Sequence, residues 1–186
     1  MRRASKSFYL ISIFAAPFLG GAIIAGAVLL INPGLFKKDE PHILILLPAL
    51  AVFLYSWVIY FQLIYKAWAS IQDGQARTTP GKAVGFLFIP FFNLYWIFQV
   101  FHGFAVDYNR FAAKRTLPFK ASEGLFLAFP ILLLVEFLPL VGILALLPSL
   151  VVMVLVILQM CDAINAVSAP PGDPKLRAAM DTGPIP

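Results

Sequence analysis

Cysteine occurs once, at Cys161, so no intramolecular disulfide can form. Histidine occurs twice, at His42 and His102, and neither has a cysteine or acidic neighbour at ligand spacing, which argues against a zinc centre. No glycine-rich phosphate loop is present. Ser56 and Ser149 stand alone, without a histidine or lysine spaced to activate a nucleophile. The sequence therefore predicts no catalytic residue, no metal and no cofactor, and the chain is not read as an enzyme. Charge is scarce as well. Asp, Glu, Lys and Arg make up 12% of the 186 residues, where a soluble domain carries about 25%.

Hydrophobic residues fill that space. They make up 61% of the chain, and the mean hydropathy is +0.88. The apolar runs are longer than a soluble core requires, which predicts a membrane protein. No polar stretch is long enough to fold as a second domain. The net charge of +5 is read as Lys and Arg that set orientation and meet anionic headgroups, not as a nucleic-acid surface.

The first apolar run, about 8–31, exceeds a signal-peptide core of about 7–15 residues and reads as an uncleaved span. Ala16 and Gly20, Gly21 and Ala25, and Ala22 and Gly26 recur at a spacing that lets helices approach closely. A second helix is expected over about 42–71. Gln62, Lys66, Ser70 and Asp73 form its polar edge, and Trp57, Tyr60, Tyr65 and Trp68 an interfacial aromatic belt. Ser122–Val167 is nearly all apolar and long enough for two spans, about 122–138 and 139–167. Their turn is expected within Glu136–Gly142, with Leu147-Pro148-Ser149 as a second possibility. The tail, 168–186, is rich in Pro and Gly and reads as disordered.

Between these lies Gly81–Phe101, apolar enough to cross a bilayer yet interrupted by Pro90 and Asn93 and flanked on both sides by cations. A segment that crosses should separate a positive side from a less positive one. This one is read as re-entrant over 83–93. Asn93 is expected to offer its amide to the backbone opened by Pro90. From Leu94, apolar residues follow a 3.6-residue stripe through Ala112, with Gln99, His102, Asp107 and Arg110 opposite. The stretch 94–114 is therefore expected to lie in the cytoplasmic interface with its apolar stripe in lipid. Every Lys and Arg except Lys37 and Lys38 then falls on the side of both termini. The predicted fold is all-α: a bundle of four transmembrane helices, a Pro-broken re-entrant segment and an interfacial amphipathic helix. No internal repeat stands out; Gly85-Phe86-Leu87 against Gly124-Leu125-Phe126 is too short to count.

Pro80-Gly81-Lys82-Ala83-Val84-Gly85 followed by Phe88-Ile89-Pro90-Phe91-Phe92-Asn93-Leu94 resembles a signature of uncharacterised bacterial multi-pass membrane proteins, P-G-x-A-x-G then F-I-P-x-x-N-L. The resemblance covers about Trp57 to Asn109. Some relatives carry this unit after a small GYF-like domain, which this sequence lacks. Others place an Arg soon after the N-L pair, where this chain has Tyr95-Trp96-Ile97. The resemblance implies a bacterial inner-membrane location and no established activity.

Candidate residues for structure or ligand contact are Pro90, Asn93, Gln99, His102, Glu136, Asp162 and Lys66. Ionisable groups within a membrane are functional suspects; Glu136 is expected at the outer interface and Asp162 paired with a cation such as Lys66. The leading expectation is a scaffold, assembly or regulatory partner, acting through membrane lipids and through a homo- or hetero-oligomer. The alternative is a transporter or channel component in which the Pro90–Asn93 break lines a polar cavity.

Overall fold

The computed structural model describes residues 3–15, 17, 21, 22, 26 and 43–169. The chain divides into two compact units, one of residues 7–62 and one of residues 1–6 with 63–186. Helix α1, Lys6–Leu10, continues into a π-helical turn, Ile11–Ala15. Helix α2, Ile43–Ser70, runs from the first unit into the second. Then come α3 (Pro80–Gly85) with a 3₁₀ turn (Phe86–Phe88), α4 (Phe92–Val100), α5 (His102–Lys114), α6 (Glu123–Val135) and α7 (Val141–Ser168). Among the described residues the fold is all helical, as expected.

Two helices among the described residues are long and apolar enough to cross a membrane, Leu50–Ser70 within α2 and Val141–Ser168, and not the four expected. Lys6–Ala15 and Glu123–Val135 are apolar but shorter. The expected span at 8–31 lies largely outside the described residues, as do the tail beyond 169 and the charged loop at Lys37–Glu40. The final hairpin turns where the first choice put it. Pro148 and Ser149 lie inside α7.

In the first unit, Ser56 Oγ donates to the Ser12 carbonyl at 2.8 Å and to the Val52 carbonyl at 3.1 Å. The hydroxyls of Tyr55 and Ser12 are 3.3 Å apart. A buried serine that returns its proton to a carbonyl costs little. The outward face carries Phe53, Leu54, Trp57 and Val58, all exposed.

The second unit is organised around α5. Leu63, Ile64, Ala67 and Trp68 form the buried stripe at the end of α2, and Ile71, just past that end, is buried with them. Trp68 donates its indole N–H to the Val100 carbonyl at 3.2 Å, and its ring lies 5.7 Å from Phe104. Phe104 meets Phe126 at 5.9 Å and Phe101 meets Phe129 at 4.7 Å, which brings in α6. Two expectations change here. Trp68 is a core residue and not part of an exposed belt, whereas Trp57 and Tyr65 are exposed. The stripe Phe101, Phe104, Ala105, Tyr108, Phe111 and Ala112 is covered by protein and not left open for lipid. A one-sided apolar stripe has the same period whichever apolar surface covers it, so periodicity could not tell the two apart.

Candidate functional site

Thr79 caps α3, its hydroxyl accepting from the Lys82 N–H, and Pro80 occupies the first helical position, where its missing N–H costs nothing. The chain then reverses at Ile89-Pro90-Phe91. Trp96 on the returning arm donates its indole N–H to the Ala83 carbonyl at 3.2 Å, and its ring lies 4.9 Å from Phe86. Residues 80–100 are thus a helical hairpin with Pro90 at its tip. Phe91 has φ +61° and ψ −42°, and the Phe92 N–H donates to the Pro90 carbonyl at 2.7 Å. This is a γ-turn of the strained, positive-φ hand.

The second hairpin, α6 to α7, repeats this turn. Leu140 has φ +64° and ψ −53°, and the Val141 N–H donates to the Pro139 carbonyl at 2.7 Å. The next N–H, of Asn93 or Gly142, reaches back to Ile89 or Leu138 at 3.0 and 2.8 Å. Placed side by side, Phe88-Ile89-Pro90-Phe91-Phe92-Asn93-Leu94 and Phe137-Leu138-Pro139-Leu140-Val141-Gly142-Ile143 share one pattern, F-[IL]-P-[FL]-[FV]-[NG]-[LI]. The chain therefore contains a repeated turn that sequence reasoning did not find. Its signal was the two F-[IL]-P tripeptides, each followed by two bulky apolar residues.

The residue after the γ-turn differs. A Cβ on Gly142 would stand 2.3 Å from the Glu136 carbonyl oxygen, so that close approach requires glycine. Asn93 holds the matching place in the first hairpin. Its side-chain oxygen is buried and has no hydrogen-bond partner among the described residues. The expectation that it serves the opened backbone is not met at this oxygen, which accepts nothing among the described residues, while the Phe92, Asn93 and Leu94 N–H groups donate to carbonyls of the turn itself.

The hairpins start from one polar end, held by an ion pair that the sequence did not reveal. Asp107, 4% exposed, accepts from the Arg77 backbone N–H at 2.8 Å, from Nε at 3.1 Å and from Nη2 at 3.0 Å. Arg110 Nη2 is 3.5 Å away. Arg77 Nη1 donates to Gln99 Oε1 at 3.2 Å, and Gln99 Nε2 to the Tyr95 hydroxyl at 3.0 Å. The guanidinium lies over Gly103, where a Cβ would approach Nη1 to 3.0 Å. The 72–79 loop is thereby latched to α5. Lys114 bonds to Gln75 and stands 3.7 Å from Asp73. The Gln75 N–H donates to the Asp73 carboxylate and, with Lys114, holds it below the usual 3.8. A lowered value means that this contact supports the fold at neutral pH and fades as acid protonates it.

On the other side of α5, Asn109 bonds the Ala121 N–H and carbonyl at 2.8 and 2.9 Å, and Glu123 at 2.9 Å. The Ser122 N–H donates to Gln159 at 2.8 Å. Tyr108 donates to the Phe119 carbonyl at 3.2 Å; burial, and then the Asp162 carboxylate, push its phenol above its ordinary value. Asp162 pairs with a cation, as expected, here Lys6 at 2.6 Å. Asn165 bonds the Ala4 N–H and carbonyl at 2.7 and 2.9 Å. No pattern in a single sequence joins residues so far apart.

The structure therefore scatters the candidate residues. Pro90 and Asn93 sit at the first tip, and Gln99 at the Arg77–Asp107 latch. His102 is half-buried at the kink between α4 and α5, and Lys66 half-buried on α2. Glu136, half-buried next to the second tip, accepts a hydrogen bond from the buried Ser149 across the hairpin. No group of three His, Cys, Asp or Glu among the described residues could hold a metal. Comparison with family models, with curated proteins and with solved structures gave no match.

Proposed function

We propose that this chain is an integral protein of a bacterial inner membrane, non-enzymatic, serving as a scaffold or assembly partner through helix and lipid contacts. The observation that carries the reading is the reversal at Pro90, with Trp96 returned against Ala83. A segment that goes in and comes back leaves its flanking cations on one side. All fourteen Lys and Arg except Lys37 and Lys38 then share that side with both termini. The Lys6–Asp162 and Ala4–Asn165 contacts support it, since they hold the N-terminal tail beside the last turns of α7. Cations at this polar end meet anionic headgroups. The exposed apolar faces of α2 and α7 supply surface for lipid or for another helix.

The orphaned Asn93 oxygen favours a second reading, a transporter or channel component whose cavity that atom faces. Purification of the tagged full-length chain in mild detergent separates the two. A stable protein partner is the outcome expected of a scaffold. A homo-oligomer that conducts ions or solute in vesicles would put transport in its place.

A further inference from the structure

We infer that the tip of the 80–100 hairpin stands level with the tip at Pro139, and that both reach the headgroup layer of the far leaflet, where water and lipid oxygens accept the amides that the turns leave open. The inference rests on the membrane reading above and adds the depth and the surroundings of each tip.

The first support is the level of each tip, fixed by contacts between neighbouring helices. The Phe101 N–H donates to the Ile97 carbonyl at 3.0 Å, and the Phe101 carbonyl accepts from Ala105 at 3.2 Å, so α4 and α5 form one kinked helix about 34 Å long. Helix α6 runs antiparallel beside it. Asn109 holds Ala121 at 2.8 Å, Phe104 meets Phe126 at 5.9 Å, Phe101 meets Phe129 at 4.7 Å, and α4 touches α6 in turn. From the Phe101–Phe129 level, the way back to Phe91 and the way on to Pro139 are each about 15 Å. From Asn109 to Phe91 the rise is about 27 Å, and from Gln159, which bonds Ser122, to Val141 it is again about 27 Å. Both tips thus stand above one polar level by close to the hydrocarbon thickness of about 30 Å. The ascending arm of the first hairpin is short because it starts high, with Arg77 already beside Gly103 and Asp107.

The second support is the amides. Phe92, Asn93 and Leu94 donate to carbonyls of the first turn, and Val141 and Gly142 to carbonyls of the second. The Phe91 and Leu140 N–H groups have no acceptor among the described residues, and these two residues are 87% and 82% exposed. Hydrocarbon offers an open amide no partner, at a cost that rules out such a turn in the acyl region. The headgroup layer supplies water, phosphate and ester oxygens as acceptors. Phe88 and Phe137, both exposed, suit the acyl boundary just beneath it. One depth therefore satisfies both halves of each tip, the polar backbone and the apolar side chains.

The test places nitroxide labels on full-length protein in a Cys161→Ser background, by Phe91→Cys, by Leu140→Cys and, as a mid-depth reference, by Val151→Cys, an exposed position about 15 Å along α7 from the tip. The protein is reconstituted in phosphatidylcholine–phosphatidylglycerol vesicles. Collision with oxygen and with a water-soluble nickel chelate reports depth. The labels at 91 and 140 are expected at one shallow depth, reached by nickel, and the label at 151 to be oxygen-accessible and nickel-protected. A shallow reading is the same at either surface, so protein labelled at both 91 and 140 gives their separation by dipolar coupling. It is expected within about 20 Å, since packed helices lie about 8–10 Å apart. Phe88→Cys and Phe137→Cys report the same tips if the first pair does not accumulate. A label at 91 as deep as the one at 151 overturns the inference alone. So does a separation near one hydrocarbon thickness, about 30 Å, or a label at 91 shielded from both reagents because a second copy or another protein covers it. Protein that alkaline carbonate strips from the vesicles overturns the membrane reading and this inference together.

Discussion

Asp107 is the most heavily bonded side chain of the polar end, and its role is structural. Its carboxylate is buried, and three of its four donors belong to Arg77. Replacing the arginine by alanine removes two of these and leaves the buried charge with the backbone N–H of residue 77 and with Arg110. Arg77→Ala is therefore expected to cost at the lower end of about 3–5 kcal/mol, read from thermal unfolding in detergent. Lys6→Ala breaks an ion pair with 45% and 32% exposed side chains and should cost about 0–1 kcal/mol. Equal losses from the two would mean that the Arg77 latch is no stronger than a solvated surface pair. None of this was legible in the sequence, because Arg77 and Asp107 each look like ordinary solvated residues, thirty positions apart. The pairing expected for Asp162, with a cation such as Lys66, is met by Lys6.

At the scale of elements the sequence was most informative about extent. The expected 94–114 helix corresponds to α4 and α5, and the expected 122–138 and 139–167 to α6 and α7, with the turn at Pro139. Periodicity, proline and glycine carry that information locally. What covers each face is not local, so the stripe of α5 was assigned to lipid when Trp68, Phe126 and Phe129 cover it. The repeated turn was hidden because its two copies share shape and apolar character more than identity. It provides a paired test. Gly142→Ala pushes a methyl group into the Glu136 carbonyl and should cost about 1–3 kcal/mol. Asn93→Ala at the matching position removes an acceptor that has no partner and should be close to neutral, since no hydrogen bond is lost. A reversed order of the two in thermal unfolding would contradict the shared geometry.

For the whole molecule, what matters is which side of a membrane each polar segment occupies. The hairpin at Pro90 reverses the chain, and the topology proposed from it places 102–121 and both termini on the cytoplasmic side. If the same residues crossed instead, the cations after Phe101 would lie outside and the positive-inside bias would be lost. The most direct measurement is single-cysteine labelling in intact cells, with Lys38→Cys and Lys114→Cys each in a Cys161→Ser background and an impermeant thiol reagent. Labelling at 38 and protection at 114 until the cells are permeabilised is the expected result. Labelling at 114 from outside would show that the segment crosses, and would contradict the re-entrant hairpin and the topology built on it.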